Sequence, residues 1–372
     1  MSQPYVAVVL PPRETFSPQA TGAVGLLARR LALAPAELAS IVFGNPGAAP
    51  FTDVPFRPVR PAWRLAGHAA RYAAGVGRAL AGRPPVLIEV HNRPEVALHL
   101  AQRFPALPVL LVLHNDPQGM HRARTPAERS ALLGRFGGVA AVSAYLRGRF
   151  LEGVAGDHAV AVLPNCIDLA EIPASPPERD DRILFAGRVV ADKGVDSFVR
   201  ACARALPHLP GWQAEVLGAD RFGPDSRDTP FLRALRPEAR AGGVALAGWR
   251  PHSDILAAMA RAAIVVVPSR WPEPFGLTAL EALACGASLL CSPRGGLPEV
   301  TADAAVPIDP DDPDALAAAI VALARDPGRR AALGAAGRAR AETFDVGHAA
   351  ATLDALRRDV LAAWSRRPGH PI

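Results

Sequence analysis

Residues 268–300 have the sequence PSRWPEPFGLTALEALACGASLLCSPRGGLPEV, and this stretch decides how the chain is interpreted. A short apolar run, Ile264 to Val267, precedes it and predicts a buried strand. Three prolines then turn the chain into a loop. Helical spacing over residues 277–284 predicts a helix, and a second apolar strand follows from Ala287 to Cys291. Such a βαβ unit binds its ligands in the loops at the carboxyl ends of the strands.

Two carboxylates and the start of the helix make this loop a candidate sugar-phosphate site. Glu273 lies in the loop, and Glu281 follows about two turns into the helix, so both can face one crevice. The backbone amides of Phe275, Gly276 and Leu277 open the helix without intrahelical acceptors, so they can bind an anion or a row of hydroxyls. Carboxylates that accept from hydroxyls, beside amides that donate to phosphate, suit a sugar phosphate.

The pattern Glu273-Pro-x-Gly-x4-Glu281, followed by G-G-x-x-E at residues 295–299, resembles the E-x7-E signature of retaining glycosyltransferases of family 4. A capping acid and an ordinary surface glutamate on a Rossmann helix would explain the two glutamates alone. The surrounding P-E-P-F-G-L and G-G-L-P-E-V motifs favour the family. The resemblance is strongest over residues 160–345. It implies an α/β protein of the GT-B fold, with two doubly wound Rossmann-like domains facing a central cleft.

Length and composition limit the class of protein. The 372 residues suffice for two domains, and half of them are hydrophobic. No apolar run is long enough to span a membrane, and the N-terminus lacks the basic leader of a signal peptide, so we expect a cytoplasmic protein. The four cysteines lack metal-binding spacing and are expected to be buried thiols in a reducing compartment.

The positive charge is concentrated in the first half of the chain. Residues 1–165 contain 17 basic and 9 acidic residues, whereas the rest contains 24 and 26. This imbalance suggests an anionic surface or acceptor, although a coding bias toward arginine explains it equally well. Of the 41 basic residues, 40 are arginine and one is Lys193. The retention of a single lysine indicates a role for a compact ammonium, such as a phosphate contact.

The first domain is predicted to span residues 1–165, with the C-terminal segment 347–372 crossing back onto it as the GT-B resemblance implies. The loop after its first strand usually carries paired glycines in the family; only Gly22 remains here, and the resemblance assigns it to donor binding. Residues 44–61 are predicted to be a loop and residues 62–81 an amphipathic helix. Its arginines share one face, which is either solvated or in contact with anionic lipid headgroups. They are Arg64, Arg71 and Arg78.

A histidine follows the most apolar strand, Val109 to Leu113. His114 lies at the carboxyl end of this strand, so its side chain is expected to face the crevice. The family resemblance implies that His114 contacts the donor sugar; a turn histidine that caps the next helix is the alternative. His91, at the end of the neighbouring strand, is predicted to contact the acceptor.

A basic cluster in the same domain is a second candidate for acceptor binding. It contains Arg122 and Arg124, which we predict to contact an anionic acceptor, and continues to Arg129 and Arg135. No aromatic residues interleave these arginines, so a nucleic-acid partner is not expected.

The second domain is predicted to span residues 166–346. It follows a segment that resembles the family's interdomain P-N-G-[IV]-D motif, with Cys166 where glycine is usual. A strand then leads to Gly187 and Arg188, and Lys193 precedes the next helix. Cations before a helix N-terminus form an anion site. In the family this G-R-x4-K-G segment binds the diphosphate of the donor.

The resemblance implies an enzyme that transfers a hexose from a UDP- or GDP-sugar to a hydroxyl with retention, in cell-surface polysaccharide or lipopolysaccharide biosynthesis. Glu273 would position sugar hydroxyls, Glu281 would bind the ribose, and backbone groups near Arg250 would border the base. The expected partners are the nucleotide sugar and a sugar or lipid-linked acceptor, with contact to an anionic membrane at the cytoplasmic face of the inner membrane. No D-x-D motif stands near the site, so we expect no metal and no cofactor; Arg188 and Lys193 replace them.

Rival functions meet specific objections in the sequence. A dinucleotide-dependent oxidoreductase needs G-x-G-x-x-G after the first strand, and residues 22–25 do not supply it. A noncatalytic nucleotide-sugar-binding protein of the GT-B fold would be expected to lose Glu273, Arg188 or Lys193. A phosphorylase would need a pyridoxal lysine, and Lys193 is already assigned. A phosphorylase or an epimerase on the same fold stays open.

Overall fold

The computed structural model describes residues 3–63, 67–176, 178–220 and 228–367. Its contacts divide the chain into two compact units: unit 1 contains Met1–Cys166 and Val346–Ile372, and unit 2 contains Ile167–Asp345. Each unit has one sheet, and all strand pairs in both sheets are parallel. Two parallel sheets with connecting helices confirm the predicted α/β class of two doubly wound Rossmann-like domains.

Unit 1 is built on a seven-stranded sheet. Its strands are β1 (Tyr5–Val9), β2 (Ala39–Gly44), β3 (Phe56–Pro58), β4 (Leu87–His91), β5 (Val109–Leu113), β6 (Gly138–Ala141) and β7 (Ala161–Val162). The order is β3-β2-β1-β4-β5-β6-β7. The intervening helices are α1 (Ala23–Leu33), α2 (His68–Ala81), α3 (Pro94–Arg103), α4 (Pro126–Arg135) and α5 (Ala144–Leu151), with a 3-10 turn at Pro117–Gly119.

Unit 2 is built on a six-stranded sheet. Its strands are β8 (Asp180–Ala186), β9 (Gln213–Leu217), β10 (Val244–Gly248), β11 (Ala262–Val267), β12 (Ser288–Cys291) and β13 (Ala305–Pro307). The order is β10-β9-β8-β11-β12-β13. The helices are α6 (Val195–Ala205), α7 (Pro230–Ala241), α8 (His252–Arg261), α9 (Leu277–Ala284), α10 (Leu297–Thr301), α11 (Pro313–Ala324) and α12 (Pro327–Glu342). Further 3-10 turns lie at Leu169–Glu171, Ala191–Lys193 and Leu206–His208.

The central strands are apolar throughout because helices cover both faces of each sheet. All five residues of β5 and all six of β11 are buried. Strands of this kind show a continuous hydrophobic run rather than alternation. The strands follow the order of a doubly wound sheet. β8 and β11 therefore lie side by side, although 75 residues lie between the end of β8 and the start of β11 in the chain. The loops after these two strands therefore meet at one edge of the sheet.

The final helix, α13 (Val346–Ser365), packs in unit 1. Leu353 and Val360 belong to the same hydrophobic core as Leu110 and Val112 of β5. The helix approaches closely, since a Cβ added to Gly138 would lie 2.8 Å from a methyl group of Val360. A glycine at the start of β6 thus allows the returning helix to pack on the sheet.

Two expectations for the first unit need correction. The predicted helix over residues 62–81 begins only at His68, because Gly67 precedes it with a φ of +83°; Arg64 lies outside the described residues. The predicted loop over residues 44–61 contains β3, which pairs with β2. The ring of Phe56 stacks on that of Phe16 at 5.0 Å, and this packing stabilises a short edge strand. The Pro- and Gly-rich residues around it led to the prediction of a loop.

Replacing Gly218 with alanine is expected to destabilise unit 2. Gly218 has a φ of +144°, and a Cβ there would lie 1.8 Å from the carbonyl oxygen of Gly187. Since backbone must move, we expect a loss of about 2 kcal/mol or more, seen as a fall in the melting temperature of at least about 4 °C. Gly82→Ala is the control, because its φ is −77° and a Cβ there meets nothing within 4 Å. Equal melting temperatures for both variants in circular dichroism scans would contradict the packing argument.

Candidate functional site

An ion pair joins the two loops predicted to bind the donor. Lys193, in the 3-10 turn after β8, places its Nζ 2.5 Å from Oε1 of Glu273, in the loop after β11. Ser269 Oγ donates to the same carboxylate oxygen at 2.7 Å. The Glu273 side chain is 10% exposed and that of Lys193 26% exposed. The structure therefore brings together the predicted sugar-binding carboxylate and the predicted phosphate-binding cation.

Backbone contacts fix the loop after β11 against the turn that carries Lys193. The carbonyl oxygen of Asp192 accepts from the amides of both Arg270 and Trp271 at 2.9 Å. Gly194 has a φ of +68°, and a Cβ there would lie 1.8 Å from the carbonyl oxygen of Pro268. Only glycine allows this approach, so the G of the predicted R-x4-K-G segment has a structural reason.

The second glutamate of the motif has a partner that the sequence analysis missed. Glu281, in the second turn of α9, places Oε1 2.7 Å from Nε2 of His252 at the start of α8. The Glu281 side chain is 10% exposed and that of His252 37% exposed. His252 orients the carboxylate predicted to bind ribose. The signal was present in the sequence, because a histidine follows the Gly-Trp-Arg-Pro turn predicted to border the base.

The amino-terminal end of α9 has the geometry expected of an anion-binding helix start. Gly276 caps the helix with a φ of +109°, and within the described residues the amides of Gly276 and Leu277 donate to no acceptor. Phe275 is buried and packs edge-on against Phe344. The turn at Gly295 fits against this loop, since the amide of Gly296 donates to the Glu273 carbonyl oxygen at 2.7 Å.

The remaining predicted donor contacts lie around the ends of β8, β9 and β10. The amide of Gly187 donates to the carbonyl oxygen of Leu217 at 3.0 Å, and the side chain of Arg188 is exposed. Arg250 is also exposed, and its guanidinium donates to the Trp249 carbonyl oxygen. A cavity of about 190 Å³ opens beside these strand ends. Its lining includes Val189, Gly218, Asp220, Gly248 and Trp249.

A larger groove of about 930 Å³ lies elsewhere in unit 2. It runs between the segment 172–176 and α12, beside Arg179 and Arg338. None of the predicted site residues lines it. Because its walls lack the carboxylate and lysine pair, we attach the donor site to the strand ends and not to this groove.

His114 and His91 form a buried pair in unit 1. Nε2 of His114 lies 2.8 Å from Nδ1 of His91, and Nε2 of His91 lies 3.0 Å from Oε1 of Glu89. His91 is only 1% exposed and both of its ring nitrogens are engaged. The predicted contact of His91 with an acceptor is therefore wrong, because a buried ring without a spare nitrogen cannot meet a ligand. The His91 ring lies between His114 and Glu89.

The charges behind His114 are balanced within the unit. Arg357 of α13 donates from Nε to Oε2 of Glu89 at 3.0 Å, and a terminal nitrogen of its guanidinium lies 2.9 Å from the same oxygen. Burial opposes ionisation of Glu89, but Arg357 and the His91 hydrogen bond outweigh it and lower the pKa to about 2. Burial holds the pKa of His114 well below 6.5. At neutral pH His114 is thus an uncharged imidazole.

Two asparagines hold the backbone and ring of His114. The side-chain oxygen of Asn92 accepts from the amides of His114 and Asn115 at 3.2 and 3.1 Å. Asn92 adopts a φ of +58°, which asparagine tolerates better than most residues. Asn165 contributes a hydrogen bond to the His114 side chain. Its Oδ1 has no partner among the described residues, although it is buried.

Gly22 does not present a free amide to a donor. The amides of Gly22 and Gly25 donate to Oε1 of Glu14 at 2.7 and 3.0 Å. A carboxylate of the chain itself therefore occupies the start of α1, where the resemblance placed the donor. Burial raises the pKa of Glu14, against the two amide hydrogen bonds and the attraction of Arg93. The predicted donor contact through the Gly22 amide is not supported.

The basic cluster separates into different environments. Arg122 and Arg124 are exposed, and Arg122 has a φ of +70°. Arg129 is 1% exposed and its guanidinium donates to the carbonyl oxygens of Ala123, Arg124, Phe150 and Glu152. Arg129 thus ties α4 to the end of α5 and is not available to an acceptor. Only the two exposed arginines keep the predicted role.

Three features of the whole chain bear on its chemistry. None of the helices in the described ranges is long and apolar enough to cross a membrane. The same residues contain no group of three or more histidine, cysteine, aspartate and glutamate side chains placed to hold a metal ion. All four cysteines are free thiols in buried positions. Burial raises the pKa of Cys285 to about 12, so this thiol stays protonated.

Comparison with known proteins is consistent with this geometry. Residues 170–340 match the family of glycosyl transferases, group 1. That match covers the donor-binding residues predicted in unit 2, but not Gly22, and most of that unit.

Curated relatives and solved structures extend the comparison. A GDP-mannose-dependent monoacylated alpha-(1-6)-phosphatidylinositol monomannoside mannosyltransferase of Corynebacterium glutamicum is 29% identical over 221 residues, which cover 54% of this chain and 56% of that protein. This chain thus aligns with little more than half of that relative. Sucrose-phosphate synthase of Thermosynechococcus elongatus has a TM-score of 0.78 at 21% identity, over 96% of this chain and all of that one. Anabaena HepE in complex with UDP has a TM-score of 0.75 at 20% identity over the same shares. These structures share the GT-B fold.

The buried carboxylate of Glu89 predicts an acid-sensitive unit 1. Its pKa falls from 4.5 to about 2 on folding, so its contribution to stability is complete above pH 4.5 and is lost as the pH falls toward 2. We expect a loss of about 2 kcal/mol between pH 5 and pH 3. A Glu89→Gln, Arg357→Met double variant removes the pair without leaving a lone charge and should melt with a shallower pH dependence. An equal fall in melting temperature from pH 5 to pH 3 for the double variant and the unmodified protein would contradict this role of Glu89.

Proposed function

We propose that this protein transfers a hexose from a nucleoside diphosphate sugar to a hydroxyl acceptor with retention, as a member of family 4 with an E-x7-E motif. The contact that carries the proposal is the pair between Lys193 and Glu273. The two side chains lie 2.5 Å apart at the carboxyl edge of a parallel sheet, where the cation would meet phosphate and the carboxylate would meet sugar hydroxyls. The match of residues 170–340 to glycosyl transferases, group 1, supports the same chemistry.

The reaction balances with groups that the chain supplies. The bond between sugar C1 and the phosphate oxygen breaks, and its electron pair leaves with the diphosphate. The acceptor hydroxyl oxygen bonds to C1 on the same face, and its proton passes to the departing phosphate oxygen. Arg188, Lys193 and the amides at the start of α9 would offset the charge that develops on the leaving group. Of these donors, the backbone amides at the start of α9 are held by the helix and need no reorganisation as the bond breaks.

Carboxylates and His114 would orient the sugar in this proposal. Glu273 would accept from hydroxyls of the sugar once the phosphate draws Lys193 away from it. Glu281, oriented by His252, would bind the ribose. His114 would contact the sugar as an uncharged ring, which does not repel a carbon that becomes positive. The leaving group is stabilised by arginine and lysine in this scheme, so turnover is expected to persist in EDTA.

The donor base would bind in the cavity beside β9 and β10. Its volume of about 190 Å³ suits a nucleobase, and its lining contains the turn before Arg250. We propose a UDP- or GDP-sugar as donor. UDP is bound in the HepE structure, and the relative from Corynebacterium is named for its dependence on GDP-mannose.

The acceptor is proposed from the charge of the first half of the chain. Its excess of arginine and the exposed Arg122 and Arg124 suit an anionic sugar or a lipid-linked acceptor, as in lipopolysaccharide or surface polysaccharide synthesis. Contact with an anionic membrane is part of this proposal. Arg71 is partly buried on α2, and Arg78 is exposed there and donates to the Arg60 carbonyl oxygen, so the membrane contact rests on the overall charge more than on a helix face.

Thermal unfolding with nucleotides tests the donor class. UDP, GDP, ADP and NAD at about 1 mM are compared, since a ligand at 100 times its dissociation constant adds roughly 2.7 kcal/mol. We expect one nucleoside diphosphate to raise the melting temperature by several degrees, which names the base. A rise with NAD alone would reject the glycosyltransferase proposal. Binding of a nucleotide sugar without hydrolysis or transfer would favour the noncatalytic alternative.

Substitution of the phosphate-binding cations tests the reaction. Lys193→Ala and Arg188→Ala are each expected to lower kcat by roughly ten- to a thousand-fold, because each removes a charge that stabilises the leaving diphosphate. Arg233→Ala, an exposed arginine on α7, is the matched control and should keep the activity of the unmodified protein. Release of nucleoside diphosphate from the donor is the readout. Near-normal turnover in both Lys193→Ala and Arg188→Ala would contradict the assignment of the diphosphate site to the loop after β8.

A further inference from the structure

Unit 1 contains a row of buried polar side chains of which the proposed reaction uses only one. Glu89 and His91 are each 1% exposed, His114 is 8% exposed and Arg357 is 2% exposed. Glu89 is the middle residue of β4, which is buried along its whole length, and a carboxylate there is costly unless it is paired. The partners of Glu89 are Arg357 and His91. The hydrogen bonds along the row determine which ring nitrogens of His91 and His114 carry protons.

The first link fixes the proton on His91. Arg357 donates a hydrogen bond to Oε2 of Glu89 and forms an ion pair with it, so this carboxylate is ionised and can only accept. The Nε2 atom of His91 lies 3.0 Å from Oε1. Since the carboxylate accepts, Nε2 of His91 must carry a proton.

The second link fixes the proton on His114. Glu89 and Arg357 already cancel in charge, so a further proton on His91 would leave these three buried side chains with a net positive charge. A neutral His91 with its proton on Nε2 has a lone pair on Nδ1. Nε2 of His114 lies 2.8 Å from that atom, and the two rings stack at 5.1 Å with 21° between their planes. Nε2 of His114 must therefore be the donor.

We propose that Glu89 and His91 are positioning residues that hold His114 as a neutral imidazole with its proton on Nε2 and a lone pair on Nδ1. The order of donors runs in one direction, from His114 through His91 to Glu89, and Arg357 anchors its end. Asn165 fits the same direction: it makes a hydrogen bond to the His114 side chain, and its Oδ1 has no partner within the described residues. We therefore infer that its NH2 group makes this bond and donates to the Nδ1 lone pair. This inference deepens the proposed function, on which its consequence rests.

The consequence concerns the donor sugar. Once a sugar hydroxyl replaces the Asn165 amide, the Nδ1 lone pair accepts a hydrogen bond from it and adds no positive charge beside the carbon that loses the phosphate. A His114 with its proton on Nδ1, or with two protons, would donate instead and would oppose the developing cation. The tautomer therefore decides whether the ring supports or hinders the reaction.

Nitrogen-15 spectra of the full chain, labelled at histidine, test the tautomer without any substrate. His114→Gln identifies the His114 signals by their loss. We expect the unmodified protein to show protonated Nε2 and unprotonated Nδ1 on His114 from pH 8 down to pH 6. A protonated Nδ1, or a second proton gained within this range, overturns the proposal. This readout does not depend on activity. The proposed tautomer of His114 can therefore be wrong while the glycosyltransferase proposal stands, and the glycosyltransferase proposal can be wrong while the tautomer is as proposed.

Variants at position 91 test the cause. His91→Phe keeps a flat ring but removes the acceptor, so the His114 tautomers should mix and kcat should fall on the order of tenfold or more. His91→Gln keeps an acceptor oxygen and should restore part of both the spectrum and the rate. His99→Phe, at an exposed histidine of α3, is the control and should leave both unchanged. An unchanged His114 spectrum in His91→Phe overturns the role of His91.

The charge-neutral Glu89→Gln, Arg357→Met variant supplies a second test if His91→Phe fails to fold. Without an ionised carboxylate, His91 is free to exchange its two tautomers, and the His114 signals should follow. A spectrum identical to that of the unmodified protein would show that Glu89 does not set the proton on His114.

Discussion

The ion pair between Lys193 and Glu273 is the contact around which unit 2 is arranged. It joins the loops that follow two adjacent strands, β8 and β11. Both partners are largely removed from water, so either one alone would leave a charge with little solvation. The glycines at positions 194 and 295 allow the backbones to approach, and Ser269 satisfies a further lone pair of the carboxylate. A ligand that enters here must replace an interaction that the protein already makes.

The sequence predicted the features that depend on local pattern. Continuous apolar runs located β5 and β11, and the E-x7-E pattern located a carboxylate loop and a helix start that the structure brings together with Lys193. It could not predict pairings between distant residues. Arg357 meets Glu89 across 268 positions, and Glu14 meets Gly22 through a loop with no periodicity. His91 was misassigned because a strand's alternation tells which face a side chain takes, and not what already covers that face.

The two units solve the problem of buried charge in different ways. Unit 2 places the Lys193–Glu273 pair in loops, and its side chains keep some exposure, 26% for Lys193 and 10% for Glu273. Unit 1 places a carboxylate inside the sheet and neutralises it with an arginine from a helix, so that the histidine at the strand end stays uncharged. In the proposed reaction, the first arrangement suits a leaving group that gains negative charge. The second suits a sugar that gains positive charge.

The return of α13 to unit 1 has a consequence for how the chain is made. Unit 2 is continuous in sequence, whereas unit 1 is completed by residues that follow it. When Cys166 has been synthesised, Glu89 still lacks its arginine and the core still lacks Leu353 and Val360. At common rates of translation the ribosome needs roughly 10 to 40 seconds more to reach Arg357. The amino-terminal half is thus the last part of the molecule to reach its final fold, and during synthesis it exposes the apolar surface that α13 will cover.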